Sequence, residues 1–176
     1  IDDLDAVPSN WEIGITNADA GPRRVVASPK PISIIDSDAI ETLISAGAVV
    51  LCAGGGGIPV VSSKRGIQGV EAVIDKDRVS ALLAVSLNAD FLFISTAIDS
   101  VKLDFGSDNE RSITTMSISE ANQYLEDGQF PVGSMKPKIE AMLFAKQNGS
   151  EMYVSLCQPG DVIETMRGAA GTTITE

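Results

Sequence analysis

Three short stretches of the sequence combine residue types that could bind an anion and act on it: residues 54–57, 75–77 and 133–138. The first is a run of four glycines. The second places a lysine between two aspartates, and the third follows a glycine turn with two lysines. Backbone N–H groups, lysine ammonium groups and a carboxylate that orients them can stabilise a phosphoryl group during its transfer. An anion site is therefore one interpretation of all three stretches.

The glycine run follows six small or apolar residues, 48–53, which predict a strand buried on both faces of a parallel sheet. Glycine permits backbone conformations in which N–H groups approach a ligand closely, and open α/β sheets bind ligands where such strands end. We therefore predict a ligand or reaction site here, with a flexible connection as the alternative. The chain has no Gly-Lys-Ser/Thr, which excludes a P-loop, and Pro59 replaces the third glycine of a dinucleotide fingerprint.

The two lysine-bearing stretches each allow a structural and a functional interpretation. Asp75 is a natural cap for a helix over residues 76–87, and Asp77 complements the dipole of that helix. Lys76 is mildly unfavourable at a helix N-terminus, so an anion that it faces would explain it. The turn at residues 133–134 opens a second helix that carries Lys136 and Lys138, either as an anion site or as solvated surface lysines.

Composition narrows the function classes. A net charge of −11 over 176 residues argues against nucleic acids and anionic membranes as partners, and no apolar run is long enough to span a bilayer. The absence of histidine excludes imidazole-based catalysis and imidazole metal sites within these residues. Cys52 and Cys157 form neither a disulfide framework nor a zinc motif, and we predict no metal-ligating residues. A cytoplasmic location is the default for such a chain.

Strands that alternate with helices predict an α/β domain with a mostly parallel sheet. Residues 1–20 are acidic and turn-rich and predict no regular element, and residues 102–109 are expected to form an irregular loop. Asp38 with Glu41, and Ser117 with Glu120, resemble capping boxes. The predicted helices lie at 36–46, 76–87, 117–125, at and beyond 134, and at 161–166. The predicted strands lie at 48–53, 70–74, 90–98, 151–156 and 172–175.

Four motifs carry a resemblance to a known family: residues 23–31, 54–60, 69–77 and 133–135 resemble carbamate kinases, which have the amino-acid kinase fold. The likeness runs in unbroken order from about residue 21 to residue 174. It implies a three-layer α/β sandwich with a mostly parallel central sheet, of which residues 21–176 form only the C-terminal, nucleotide-binding half. It also implies that an N-terminal half, with a phosphate loop and a further lysine, is absent.

The resemblance also implies roles for individual residues. Lys76 and Lys138 would neutralise the phosphoryl group in transfer, and Asp77 would orient them. The transfer centre would be bordered by Gly54, Gly55, Gly56 and Gly57. The nucleotide would lie against Thr96, Asp99, Ser100, Ser134 and Met135.

The activity implied is that of a carbamate kinase, in which ATP with Mg²⁺ and carbamate interconvert with ADP and carbamoyl phosphate. The reaction would run towards ATP in nitrogen and arginine catabolism. The full-length protein would be a cytoplasmic homodimer.

Several positions depart from the family pattern. Pro22 stands where the family has tryptophan, and Lys136 where it has glycine; Ala97, Ser100 and Lys102 replace an aspartate, a glycine and a tyrosine. A glycine with positive φ at position 100 would make Ser100 strained. Two hypotheses therefore stay open: an active carbamate kinase-like enzyme, or a catalytically impaired homologue that binds a ligand or partner. A different amino-acid kinase, such as an acetylglutamate or uridylate kinase, fits the fold but not these motifs.

Overall fold

The computed structural model describes residues 7–15, 21–149 and 151–176. In chain order these residues form β1 (Glu12–Gly14), β2 (Arg23–Val25), α1 (Ser37–Ser45), β3 (Val60–Ser63), β4 (Gly66–Gly69), α2 (Lys76–Ser86), β5 (Phe91–Ser95), β6 (Val101–Leu103), β7 (Arg111–Ile113), β8 (Thr115–Ser117), α3 (Ile118–Glu126), α4 (Met135–Asn148), β9 (Tyr153–Cys157), α5 (Val162–Met166) and β10 (Thr172–Thr175). The packed part of the molecule runs from α2 to β10 and contains nearly all of the hydrophobic core.

A four-stranded sheet in the order β5-β9-β10-β8 lies at the centre of the packed part. β5 is parallel to β9 and β10 is parallel to β8, while β9 and β10 are antiparallel, so the sheet is mixed and mostly parallel. Alternate side chains of a strand point to opposite faces. Leu92, Val154 and Ile174 lie side by side across three strands, and all three are buried in the main core.

Helices lie on both faces of this sheet. α2, α3 and α4 pack on the face that carries the main core, and α4 contacts three strands. The opposite face carries Tyr153, whose hydroxyl donates a hydrogen bond to the Thr165 carbonyl of α5 at 2.7 Å. The result is a three-layer arrangement around the mixed sheet.

The pairing of α2 with α4 brings the first turns of these helices together. Ala81 on α2 and Ala141 on α4 are buried, and small side chains allow two helices to approach closely. An ion pair between Arg78 and Glu140 joins the same helices, with 2.9 Å between Nη2 and Oε2. Both helices therefore present their N-terminal turns to one region of the surface.

Much of the predicted secondary structure is confirmed. α1, α2, α3, α4 and α5 occur where helices were predicted, and β5, β9 and β10 match predicted strands. The capping box of α3 is complete: Ser117 Oγ accepts from the Glu120 N–H at 3.1 Å, and a Glu120 carboxylate oxygen accepts from the Ser117 N–H at 2.8 Å. Local signals of this kind succeed because every participating group lies within one turn.

The prediction of a doubly buried strand at residues 48–53 is wrong. The segment has no regular structure, and Val49 and Leu51 are 94% and 97% exposed. A strand exists only where a neighbouring chain accepts and donates its backbone hydrogen bonds. Among the described residues no strand pairs with this segment, so its composition alone does not make it a strand.

Four smaller expectations also need correction. Residues 104–109 form an irregular turn as expected, but residues 102 and 103 lie in β6, so the segment belongs to the antiparallel β6–β7 hairpin. Of the segment 1–20, residues 1–6 and 16–20 lie outside the described residues, and residues 7–15 contain β1, which pairs with β2. Residues 70–74 form only an isolated bridge between Ala72 and Ala27. The side chain at the N-cap of α1, Asp36, makes no capping hydrogen bond, so the expected box of Asp38 and Glu41 is absent there. The first three differences arise from backbone pairing, or its absence, between segments that are separated in the sequence.

Candidate active site

The two lysines and the aspartate predicted to act on a phosphoryl group do lie together. Asp77 is buried in the first turn of α2, and its Oδ2 atom accepts hydrogen bonds from Lys138 Nζ at 2.8 Å and from Lys76 Nζ at 3.4 Å. Lys138 comes from the first turn of α4, sixty-one residues away along the chain. One carboxylate therefore holds two ammonium groups side by side, with Lys138 largely buried and Lys76 more than half exposed.

Asp75 fixes the position of this cluster. Its Oδ1 atom accepts from the N–H groups of Asp77 at 2.9 Å and Arg78 at 3.1 Å, so it caps α2 as predicted. With Asp75 occupied as the cap, the carboxylate of Asp77 is free to face the lysines. The Arg78–Glu140 ion pair, one residue further along α2, holds α4 at the distance at which Lys138 reaches Asp77.

The glycine loop reaches the same region through one of its members. Gly56 is buried with φ of +136°, and a Cβ at this position would overlap the carbonyl oxygen of Ile74, immediately before the Asp75 cap. Gly54, Gly55 and Gly57 are exposed. The N–H groups of Gly56 and Gly57 both donate to the Ala53 carbonyl, so the loop is a tight turn. The loop is therefore attached to the start of α2 at one point and open elsewhere.

The turn predicted to contact a nucleotide is held by β9 and β10. The Thr96 N–H donates to the Cys157 carbonyl at 2.9 Å, and Gln158 Nε2 donates to the Ala97 carbonyl at 3.0 Å. The Val101 N–H donates to Thr172 Oγ1 at 2.8 Å. Sequence reasoning missed Gln158 and Thr172, because their role arises only when distant strands come together.

The expected strain at Ser100 is absent. Among the described residues the non-glycine positions with positive φ are Ala53, Asn88 and Asp104, so the backbone of Ser100 is not left-handed. Ser100 is buried, and its Oγ donates to Asp99 Oδ1 at 3.3 Å. The replacement of glycine by serine is therefore accommodated by the fold of this turn.

Lys102, the third altered position of the turn, is engaged in an ion pair across the β6–β7 hairpin. Its Nζ lies 2.9 Å from Oε1 of Glu110, whose Oε2 accepts from the Gly106 N–H at 3.0 Å. The hydrogen bond to Glu110 and its charge raise the pKa of Lys102. The Gly106 N–H first, and Lys102 second, lower the pKa of Glu110.

Ser134 and Met135 stand at the start of α4, as predicted, but Ser134 does not cap the helix with its side chain. The N–H groups of Ser134 and Lys136 instead donate to the Pro131 carbonyl at 3.3 and 3.1 Å. Met135 packs against the main core, while Ser134 is exposed. Their contact with a nucleotide stays a prediction, as do the roles of Thr96, Asp99 and Ser100.

The charge cluster lies outside the depression that the structure shows between α2 and α4. This depression of about 100 Å³ is lined by Arg78 and Glu140 and contains none of the predicted site residues. Within the described part of the chain, no group of three or more aspartate, glutamate, cysteine or histidine side chains could hold a metal ion. In the same residues, no helix has the length and apolar character needed to cross a membrane.

Comparison with known proteins decides the family. The model of the amino acid kinase family matches residues 9–155. The chain belongs to the amino acid kinase family. The match begins inside the acidic segment that the sequence assigned no regular element, in agreement with β1. The amino-acid kinase fold, with its mixed and mostly parallel sheet between helices, is thereby confirmed.

The resemblance to carbamate kinases is confirmed over about half of their length. A carbamate kinase of Staphylococcus haemolyticus is 48% identical over 163 residues, which are 91% of this chain and 52% of that protein. A carbamate kinase-like protein of Escherichia coli is 43% identical over 160 residues, 90% of this chain and 51% of that protein. The chain thus spans about half the length of the relatives it matches.

Comparison with solved structures also supports the amino-acid kinase fold. The carbamate kinase of Giardia lamblia bound to AMP-PNP superimposes with a TM-score of 0.87 at 34% identity, over 94% of this chain and 52% of that one. An N-acetylglutamate synthase of Neisseria gonorrhoeae, at 23% identity and a TM-score of 0.59, shares the fold alone. The amino acid kinase assignment therefore stands on sequence and structure together, with carbamate kinases among the similar members.

Proposed function

We propose that this chain supplies the nucleotide-side half of a carbamate kinase-like phosphotransferase, which moves a phosphoryl group between carbamoyl phosphate and ADP. The observation that carries the proposal is the cluster in which Asp77 Oδ2 holds the ammonium groups of Lys138 and Lys76. The similarity to carbamate kinases, one of which was solved with AMP-PNP, supports the choice of reaction and of ATP or ADP as the nucleotide.

The chemistry of the cluster follows from its charges. A phosphoryl group in transfer carries negative charge on its equatorial oxygens, and preorganised cations lower the energy of that state. Lys138 and Lys76 would supply these cations. Asp77 would hold them in place before the substrates arrive, so that they need not reorganise during the reaction. Because the buried Asp77 carboxylate already accepts hydrogen bonds from two ammonium groups, it acts as a positioning residue rather than as a base.

Magnesium would accompany the nucleotide rather than occupy a site built from the described residues. Mg²⁺ is commonly bound by one or two carboxylates together with substrate phosphates. The buried carboxylate of the cluster already accepts from two lysines, and no larger acidic cluster lies near it within residues 7–15, 21–149 and 151–176. Homodimerisation, a cytoplasmic location and a part in arginine catabolism stay predictions that depend on the resemblance.

The direct test uses a chimera in which this chain replaces the matching half of the Staphylococcus haemolyticus carbamate kinase. ATP formed from carbamoyl phosphate and ADP is measured with a luminescent coupled assay. We expect turnover by the chimera and none by the 176-residue chain alone, because positioning of both substrates supplies most of the rate in phosphoryl transfer. A correctly folded chimera without turnover would contradict the proposed reaction.

A second candidate is a catalytically impaired homologue that binds a ligand or partner. The observation that favours it is the altered turn, where Ala97 offers no carboxylate and Lys102 is committed to Glu110. Loss of one hydrogen bond to a nucleotide costs on the order of 1 kcal/mol, which weakens affinity about fivefold to tenfold. Calorimetric titration of ADP into the chimera and its Ala97→Asp variant tests this: a gain in affinity supports impairment, and no change argues against it.

A further inference from the structure

The depression between α2 and α4 has three walls. Arg78 and Leu82 of α2 form the first wall, and Glu140 and Phe144 of α4 form the second, since residues four apart lie on one face of a helix. The third wall is formed by residues 30–31, which belong to the segment between β2 and α1. The fold therefore builds the depression from three separate parts of the chain.

Small side chains give the depression its apolar interior. Ala81 and Ala141 line it where the two helices pack, and both are buried. Because a methyl group fills less space than the side chains of Leu82 and Phe144, a hollow of about 100 Å³ remains between the larger side chains. In other proteins an apolar cavity of about 150 Å³ holds a benzene ring. The hollow therefore fits one aromatic ring, or a branched chain of similar size, with one end in solvent.

The rim of the depression carries more positive than negative charge, although the chain as a whole has a net charge of −11. Arg78 and Lys30 contribute two cations, and Glu140 contributes one carboxylate. The ion pair of Arg78 with Glu140, at 2.9 Å, uses one of the five N–H donors of the guanidinium. In the described part of the chain, Lys30 Nζ forms no hydrogen bond or ion pair. Donors therefore remain at the rim for a further anion, and a carboxylate suits both groups.

We propose that this depression binds a small monocarboxylate whose apolar group is about the size of a benzene ring. The apolar group lies against Ala81 and Ala141, and the carboxylate accepts from Lys30 and from the remaining donors of Arg78. Burial of the apolar group favours such a ligand over an inorganic anion, and the excess of positive charge favours it over an amine of the same shape. This inference goes beyond the proposed function, and the binding does not depend on the proposed reaction.

The Arg78–Glu140 ion pair connects the depression to the cation cluster. Arg78 follows Asp77 directly on α2, and Glu140 lies two residues after Lys138 on α4. A carboxylate bound at Arg78 adds a second anion beside Glu140, so it alters the ion pair that joins the two helices at their first turns. Occupancy of the depression is therefore felt at Asp77 and Lys138 without any contact between the ligand and these residues.

The test titrates benzoate into the isotope-labelled 176-residue chain and follows the backbone amides by NMR. The signals of Ala81 and Ala141 should shift with a Kd of about 1 mM, which is typical of so small a ligand, and the signals of Asp77 and Lys138 should shift with the same Kd. Benzamide has the same ring without the charge and should bind about tenfold more weakly, and benzylamine should shift none of these signals. No enzymatic activity is needed, so failure of this test is distinguishable from failure of the proposed reaction.

Matched variants separate the charge of the rim from its apolar wall. Lys30→Gln should weaken benzoate binding by about threefold to fivefold, whereas Lys64→Gln, at an exposed lysine of the turn between β3 and β4, should leave it unchanged. Phe144→Ala should weaken the binding of both benzoate and benzamide by about threefold to tenfold, because it removes part of the apolar wall. Phe105→Ala, in the turn of the β6–β7 hairpin, should have no effect. All four side chains are exposed, so the variants should keep the amide spectrum of the folded parent.

Several results would overturn the proposal. If benzoate does not shift the signals of Ala81 and Ala141, the depression is not a binding site. Equal affinity for benzoate and benzamide, or equal effects of Lys30→Gln and Lys64→Gln, would remove the carboxylate from the recognition. Shifts confined to the depression, with the signals of Asp77 and Lys138 unchanged, would disprove its connection to the cation cluster.

Discussion

Two apolar segments of this protein have similar compositions but differ in structure and in burial. Residues 48–53 and β5 both predict buried strands, yet Val49 and Leu51 are exposed while Leu92 and Ile94 of β5 are buried. β5 pairs with β9 along five residues, and residues 48–53 pair with nothing in the described structure. The comparison shows that local composition makes a segment suitable for a strand, whereas a partner decides whether the strand forms.

The candidate active site lies at the border between the two regions. Lys76, Asp77 and Lys138 belong to the helices of the packed part, and their geometry is set by the pairing of α2 with α4. The glycine loop follows residues 48–53 and contacts the packed part at Gly56. The cation cluster is therefore formed by the packed part, and the glycine loop is joined to the start of α2 through Gly56.

The largest expected effect separates the two regions by stability. Leu156→Ala in β9 removes a fully buried side chain from the core and should lower the free energy of unfolding by about 2–5 kcal/mol. Leu51→Ala should change it by less than about 0.5 kcal/mol, because that side chain is already in water. Urea unfolding monitored by circular dichroism gives both values. A similar loss in both variants would show that residues 48–53 are packed in solution.

A smaller effect tests the single contact between the regions. Gly56→Ala would place a Cβ against the backbone of Ile74 at a positive φ, and such strain costs about 1–3 kcal/mol. Gly55→Ala is the matched control, since a Cβ there meets nothing within 4 Å and its φ is not positive. Thermal unfolding of both variants is the measurement. If Gly56→Ala is neutral, the loop is not held against α2.

The smallest effect concerns the capping box of α3 in the packed region. The N–H and hydroxyl of Ser117 donate to the Glu120 carboxylate and lower its pKa from the ordinary value of 4.5. A lowered pKa contributes stability that is present above pH 4.5 and is lost as the pH falls through the lowered value. Wild type should therefore exceed Glu120→Gln in stability at pH 7, and the difference should shrink by pH 3. A difference that does not change with pH would exclude the charge as its source.

The features that could be predicted from the sequence depend on local interactions or on motifs shared with a family. The Asp75 cap of α2 and the box of Ser117 with Glu120 need only groups within one turn, and both are present. Lys76 and Asp77 are adjacent in the sequence, but neighbouring side chains of a helix point in different directions, so their contact at 3.4 Å is a finding of the structure. The meeting of Lys138 with Asp77 came from the resemblance, because sixty-one residues separate the two and no local rule connects them.

What the sequence did not predict depended on distant pairing. Gln158 and Thr172 hold the turn after β5 through hydrogen bonds to Ala97 and Val101, and neither residue carries a motif. The β6–β7 hairpin was missed because its strands are three residues long and lie among polar residues. The expectation of strain at Ser100 was wrong, because the backbone φ of a residue cannot be deduced from the residue type that a relative has at that position.

The central claim is that Asp77 positions Lys138 and Lys76 to stabilise charge on a transferred phosphoryl group. In the chimera with the Staphylococcus haemolyticus half, Lys138→Met and Lys76→Met should each lower kcat for ATP formation by about 10²–10³-fold, with little change in KM for ADP. Lys136→Ala is the control, because this lysine on the same turn of α4 forms no hydrogen bond or ion pair with Asp77, and it should change kcat by less than about threefold. Equal and small effects at all three lysines would contradict the account.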